Sequence, residues 1–323
     1  MFYLTNQPTV VQVVVQNPTK FTKKDFLLAQ SETVPNPEIE ESVNYWFHGV
    51  KIIGTISYKP ISDYSSIPLF SNISYRDISQ GKLGDCYFLA ALAEVAIYYP
   101  DRIRALIKPN DDNTYTIRNL GGITFNIDDQ LPNLKRDTGE NLRYYAKYQK
   151  NSWVALLEKA YAYANSQNVL KGPIKNTTSL NDYSTLNTGY AYRALKDILN
   201  KKTTYLKLDG LSDEELNDLL QKPVPKVLVS KKGKGYLYEE NGIGIVESSH
   251  EYAFVSPDED NTLENPIYNL FNPWGIGFQT MYVTSGKPAD AKNTDHLSSN
   301  GLLKLSLSEI REYFTEIDYL PKL

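Results

Sequence analysis

One cysteine, three histidines and two methionines among 323 residues leave little room for several kinds of chemistry. A single cysteine cannot close an internal disulfide, so nothing marks an oxidising compartment. One Cys and three widely separated His do not supply the four closely spaced ligands of a structural zinc site. No apolar run approaches the ~20 residues of a membrane-spanning helix. The first residues lack the basic start and apolar core of a secretory leader. The expectation is a soluble protein without a membrane span, cytoplasmic rather than secreted. Lys and Arg form no cluster and the formal net charge is −4, so a nucleic-acid partner is not expected.

What is present reads as a folded chain. Its length allows one large domain or two ordinary ones. Aromatic residues are plentiful, with 25 Tyr, as in a packed interior and unlike a disordered composition.

The chain is organised around residues 80–96, Gln-Gly-Lys-Leu-Gly-Asp-Cys-Tyr-Phe-Leu-Ala-Ala-Leu-Ala-Glu-Val-Ala, which hold the only cysteine. Apolar residues recur at 88, 89, 92, 95, 96 and 99, a helical spacing. Pro100 ends the pattern, because proline disfavours helical geometry in the residue before it. The chain before Cys86 is rich in Gly and Asp, so Cys86 falls at or next to the first turn of a helix. There it meets unpaired N–H groups and the positive end of the dipole. Such a position favours the nucleophilic thiolate. Taken alone, a lone cysteine is more often a small buried hydrophobe.

Residues 1–65 read as an N-terminal extension, with strands at 9–16 and 52–58 and an acidic, proline-containing linker between them. Residues 66–172 read as a mainly helical unit. It holds the Cys86 helix, a short helix at 102–107, strand-like pieces at 115–118 and 122–127, and a strong helix at 153–164. In the last, Trp153, Leu156, Leu157, Ala160, Tyr161 and Ala164 form a core-facing stripe. Residues 173–323 read as β-rich. Two short helices come first, the second opening with a Ser212–Glu215 capping box. Strands follow at 225–230, 244–247, 252–256, 267–271, 278–283 and 302–305. A helix at 307–314, opened by Ser306 and Glu309, and a strand at 315–319 complete the chain. A helical half followed by an antiparallel β half is α+β, with a cleft expected between them.

A nucleophilic thiol needs a nearby base, and the base needs an orienting acceptor. His48 lies in the extension and His296 in a polar loop, and each reads as a solvated or capping residue. His250 opens the strand His-Glu-Tyr-Ala-Phe-Val, so its side chain can project from a strand end. Asn272 closes the next strand in Asn-Pro-Trp-Gly, elsewhere an ordinary turn sequence.

Together these blocks resemble calpain-type cysteine proteases, a branch of the papain-like fold. The first block is Gln-Gly-x-Leu-Gly-Asp-Cys-aromatic-Phe-Leu-Ala-Ala. The second is Ala-Leu-Leu-Glu-Lys-Ala-Tyr in the 153–164 helix. The third is His-x-Tyr followed by Asn-Pro-Trp-Gly. The resemblance covers about residues 70–320. Tyr87 stands where the family usually carries Trp, and Ser249 and Glu251 flank His250 where it carries Gly and a small residue.

The resemblance implies two subdomains with a catalytic cleft and endopeptidase activity on protein or peptide substrates through a thioester acyl-enzyme. It implies Cys86 as nucleophile, His250 as base, Asn272 as orienting group and Gln80 as oxyanion donor. Trp274, Gly84 and Asp85 would support them. A resting thiolate–imidazolium pair is expected. No cofactor is needed for the chemistry. The resemblance also matches Asp77 and Glu158 to one regulatory calcium site. The loop at 276–281, Ile-Gly-Phe-Gln-Thr-Met, lacks the carboxylates of a second. Alternative functions are a papain-fold acyl transferase or cross-linker, and a catalytically silent peptide-binding scaffold.

Overall fold

The computed structural model describes residues 54–60, 67–81, 83–136, 141–143, 146, 151–166, 170, 186, 188–231, 249–257, 266–275 and 301–321. His48 and His296, the linker at 38–41, the 276–281 loop and the strands expected at 9–16, 244–247 and 278–283 lie outside them.

Strand β1 (Gly54–Pro60) comes first, and a 3-10 turn (Tyr75–Asp77) follows. Helix α1 (Cys86–Tyr98) begins at the cysteine itself, with Asp85 as N-cap. Pro100 opens helix α2 (Pro100–Leu106) at its first turn, where its missing N–H would have had no partner. Strands β2 (Ile107–Pro109), β3 (Thr114–Leu120), β4 (Ile123–Asp128), β5 (Gln130–Arg136) and β6 (Asn141–Arg143) follow, then helix α3 (Trp153–Ser166). Helix α4 (Ala191–Leu199), strand β7 (Thr204–Lys207), helix α5 (Asp213–Gln221) and strand β8 (Lys226–Ser230) lead to β9 (Glu251–Pro257) and β10 (Ile267–Phe271). Strand β11 (Leu302–Ser306), helix α6 (Leu307–Tyr313) and strand β12 (Phe314–Tyr319) end the described chain. Both expected capping boxes form, Ser212 with Glu215 and Ser306 with Glu309.

The protein is α+β with antiparallel sheets. Three strands pair in the order β1-β5-β6 and three in the order β2-β3-β4. A six-stranded sheet runs β11-β10-β9-β8-β12-β7. Strand β1 pairs with β5 from Gly54↔Arg136 to Pro60↔Gln130. The end of the expected N-terminal extension is thus a working part of a sheet.

The large sheet is buried on both faces. Val227, Ala253 and Phe271 join the core built by α1, α3 and α4. Leu228, Tyr252, Phe254, Tyr268 and Leu270 point the other way, into a second core with α5 and α6. The alternation follows from the period of two along a strand. Helix α1 has no wet side: every residue from Tyr87 to Ala96 is buried. Its Ala90, Ala91 and Ala93 let neighbours come close, and Phe88 stacks on Tyr161 at 4.2 Å with rings 10° apart. No described helix is long and apolar enough to cross a membrane.

Tyr87 fixes one such approach. A Cβ built on Gly189 would stand 2.3 Å from Tyr87 Cζ, and the ring is buried. Gly189→Ala should therefore destabilise by about 1–3 kcal/mol through overpacking. In a Tyr87→Leu background it should cost much less, since the two sites share one space. Thermal unfolding of the four proteins measures this, and equal costs in both backgrounds would contradict the clash.

Candidate active site

Cys86 is the first residue of α1 and is half-buried. The Asp85 carbonyl starts the helix by accepting from Phe88 N–H at 2.9 Å and Leu89 N–H at 3.1 Å. Burial pushes the Cys86 thiol well up, helped by the nearby carboxyls of Glu251 and Asp85. The backbone N–H groups of Glu251 and Tyr87 pull the other way but do not win.

His250 stands just before β9. Its N–H donates to Ser230 Oγ at 2.8 Å, and its carbonyl accepts from Ser230 N–H at 2.9 Å. The main chain at His250 is thus tied to the end of β8. Ser249, just before it, has φ +53°. That conformation costs a non-glycine residue ~1–2 kcal/mol, which gives a physical reason for the family's glycine at this place.

The imidazole is fixed on three sides. Its Nε2 lies 2.9 Å from Asn272 Oδ1. Trp274 packs 4.7 Å from the ring, and Tyr252 meets it edge-on at 5.0 Å. Trp274 N–H also donates to Asn272 Oδ1 at 3.0 Å. Only the amide oxygen can accept that bond, so the atom facing His250 is an acceptor and Nε2 carries the proton. The lone pair is then on Nδ1. Burial lowers the His250 pKa to about 4, against the partial support of Asn272. The sequence led to the expectation of a thiolate–imidazolium pair. This conformation instead favours a neutral thiol and a neutral imidazole, because desolvation outweighs the helix dipole at Cys86 and the amide at His250. Among the described residues no hydrogen bond joins Cys86 to His250, and the thiol lies against the main chain of Glu251, one residue on.

Gln80 is buried and its Nε2 donates to Leu83 O at 2.6 Å. The same side-chain amide also bonds the Asp85 carboxyl. The Gln80 main-chain N–H donates to Pro273 O at 2.8 Å, and Ser79 Oγ donates to Trp274 O at 3.1 Å. A seam thus joins the segment before Cys86 to the Asn272–Trp274 turn. Gly275, at φ +68°, passes so close that a Cβ would meet Ile78 O at 2.9 Å.

The expected calcium pair is spread over separate partners. Asp77 Oδ2 accepts from Ser74 N–H and from Trp153 Nε1, both at 3.0 Å. Glu158 takes the Ala146 N–H on both oxygens, at 2.9 and 3.1 Å. Its other neighbour is Asp85. A calcium ion takes six to eight oxygens, and no group of three or more His, Cys, Asp or Glu that could hold a metal occurs among the described residues. The residues as arranged do not fit a calcium cage. Gly84 contributes its carbonyl to Thr188 N–H at 3.1 Å.

Two buried acids were not foreseen as parts of the site. Glu251 was read only as a departure beside His250. Glu94 was given no role, although it is fully buried. Burial raises the pKa of Asp85, Glu94, Glu158, Glu251 and Asp318.

The chain matches a family model described as calpain family cysteine protease over residues 41–318. The match begins before the motif-based resemblance, which starts near residue 70. Calpain-14 from Homo sapiens is 27% identical over 218 residues, 64% of this chain and 29% of that protein. The calpain-type cysteine protease DEK1 from Zea mays is 37% identical over 223 residues, 64% of this chain and 9% of that one. Calpain-8 from Mus musculus is 26% identical over 293 residues, 81% of this chain and 38% of that protein. The chain thus spans well under half the length of these relatives.

The raised carboxyls set a pH dependence. Asp85, Glu158, Glu251 and Asp318 each hold a proton in the folded state that the unfolded chain releases above about pH 4. Stability from such groups is full below that pH and is lost as pH rises through the folded values, which reach about 8 at Asp318. His250 acts oppositely between about 4 and 6.5, but it is one group against four. In chelator-containing buffer the melting temperature should be higher near pH ~5.5 than near pH ~8. A curve that is flat or rises over that interval would count against the buried, protonated acids.

Proposed function

The chain belongs to the calpain family of cysteine proteases, and on that footing we propose that it is an endopeptidase that cleaves peptide bonds with Cys86, His250 and Asn272. The reading includes a papain-like arrangement, with residues 66–172 and 173–323 as subdomains flanking a substrate cleft and residues 1–65 as an extension. The observation that supports it most is the imidazole with its proton held on Nε2 by Asn272 Oδ1 at 2.9 Å. That leaves Nδ1 as a free base beside the element that carries the only thiol.

Cys86 Sγ attacks the carbonyl carbon of the scissile bond and gives its proton to His250 Nδ1. Starting from neutral partners, charge develops during attack rather than before it. The carbonyl oxygen becomes an oxyanion, met by the Cys86 N–H, which has no intrahelical acceptor, and by the side-chain amide of Gln80, which turns from its partner Asp85 to do so. As the tetrahedral species collapses, the C–N bond breaks and His250 returns the proton to the leaving amine. The acyl group is left as a thioester. Water then attacks it, giving a proton to His250 Nδ1, and the C–S bond breaks. The acid product leaves and Cys86 regains its proton. Asn272 holds the ring and tautomer, and Trp274 shields that bond from water, where it is stronger. Calcium supplies no step.

The test is proteolysis of an unfolded substrate such as casein. Cys86→Ala and His250→Ala should abolish cleavage while the protein stays folded. Gln80→Ala should lower kcat by ~100- to 1000-fold, the usual loss for one oxyanion donor. Asn272→Ala should be milder than Cys86→Ala, since Trp274 and Tyr252 still pack the ring. Cleavage by Cys86→Ala at the parent rate would remove the reading. Full kcat in Gln80→Ala would remove only the oxyanion assignment.

A further inference from the structure

Glu94 lies on α1 two turns beyond Cys86 and is completely buried. Its carboxylate does not pair within its own helix. One oxygen accepts from Lys226 N–H at the start of β8 at 2.8 Å, and the other accepts from Phe254 N–H in the middle of β9. These strands pair through Val227↔Ala253. The acid therefore sits where they part, bound to the main chain of both.

Lys226 carries the cation that partly offsets the burial of Glu94, acting through space rather than by side-chain contact. Its Nζ donates to Val224 O at 3.1 Å and to Lys222 O, and lies 4.5 Å from the Phe254 ring centroid. The pair is desolvated on both sides, which raises Glu94 and lowers Lys226. A buried acid and a buried amine are poor value for stability alone, because desolvation offsets most of their through-space attraction. Their geometry gives them another use. From Cys86 to Glu94 the helix advances about 12 Å. From Glu251, against which the thiol lies, to Phe254 the strand advances about 10 Å. Helix and strand thus run side by side in the same direction. Contact at the Cys86 end is matched by hydrogen bonds at the Glu94 end.

We propose that Glu94 is a positioning residue that locks α1 onto β9 in the register bringing the Cys86 thiol to the His250 imidazole. This rests on the triad reading above. Glu94 touches neither substrate nor reacting atoms. A shift of the helix by a fraction of a turn would move the thiol relative to a ring that is itself held by Asn272 and Trp274.

The experiment compares the parent, Glu94→Gln and the double variant Glu94→Gln with Lys226→Met in casein cleavage, with thermal unfolding of each. Gln keeps one acceptor but turns an amide donor toward the other N–H. Glu94→Gln should lower kcat roughly 10- to 100-fold, the scale of a misplacement of ~1 Å, with KM within about twofold of the parent. The double variant removes the uncompensated lysine and should regain stability without regaining kcat. Parent-like kcat in folded Glu94→Gln overturns the proposal. So does recovery of kcat together with stability in the double variant, which would make the role one of stability alone. Failure of both variants to fold would overturn it too, making Glu94 a folding determinant. Activity that survives Cys86→Ala would instead remove the triad reading, and this proposal with it.

Discussion

A helix buried on every side must find partners inside the protein for each polar group it carries. Helix α1 is such a helix, and the rest of the site answers to that constraint. The sheet strands β8 and β9 lie against one side of it and α4 against another. Glu94, the one carboxylate in its middle, is met by main-chain N–H groups from two strands rather than by water. Cys86 escapes full burial only because it stands at the very end. The same dryness governs its chemistry. A surface helix terminus lends an anion ~0.3–1 kcal/mol, while removing a thiolate from water costs several times more. The dipole therefore loses at Cys86 in this conformation.

The second half of the site follows a different rule. His250 is placed by main-chain bonds to Ser230, and its ring is oriented by Asn272, Trp274 and Tyr252. The Asn272 side chain is fixed by the backbone N–H two residues on, so tautomer and ring plane are set by a short turn. Ser249 accepts a left-handed backbone to deliver the histidine at that point. The strain is local, and the bonds on either side hold it in place.

Much of this was legible in the chain. The extent of α3 and the capping boxes at Ser212 and Ser306 appear in the structure nearly residue for residue, because each is a local signal, although α3 is buried on every face and not only along its apolar stripe. The Cys86 helix start followed from Gly and Asp before it and Pro100 after it. Strand β5 was missed: Gln-Leu-Pro-Asn-Leu-Lys-Arg has no β-branched residue and contains a proline, which argues against a strand that pairs on both sides. Strand β7 is only four residues long. Glu94 escaped because an isolated acid among apolar residues looks like a wet position, and only tertiary partners show otherwise. The protonation balance of Cys86 and His250 was also out of reach, since it depends on how much water the fold removes. Spacing could align His250 with Asn272, but the turn that forces the amide oxygen toward the ring exists only in three dimensions.

The seam from Gln80 N–H to Pro273 O joins the stretch before the thiol to the turn behind the imidazole through peptide groups alone. Side chains can be exchanged on both segments without touching it. An alanine scan would pass over it in silence, and lineages that rewrite the side chains around it could inherit it unaltered. Only a proline at position 80, or an ester in place of that amide, would cut it. The shape of the site is therefore stored partly in a form that substitution can scarcely read, leaving the side chains around it free to diversify.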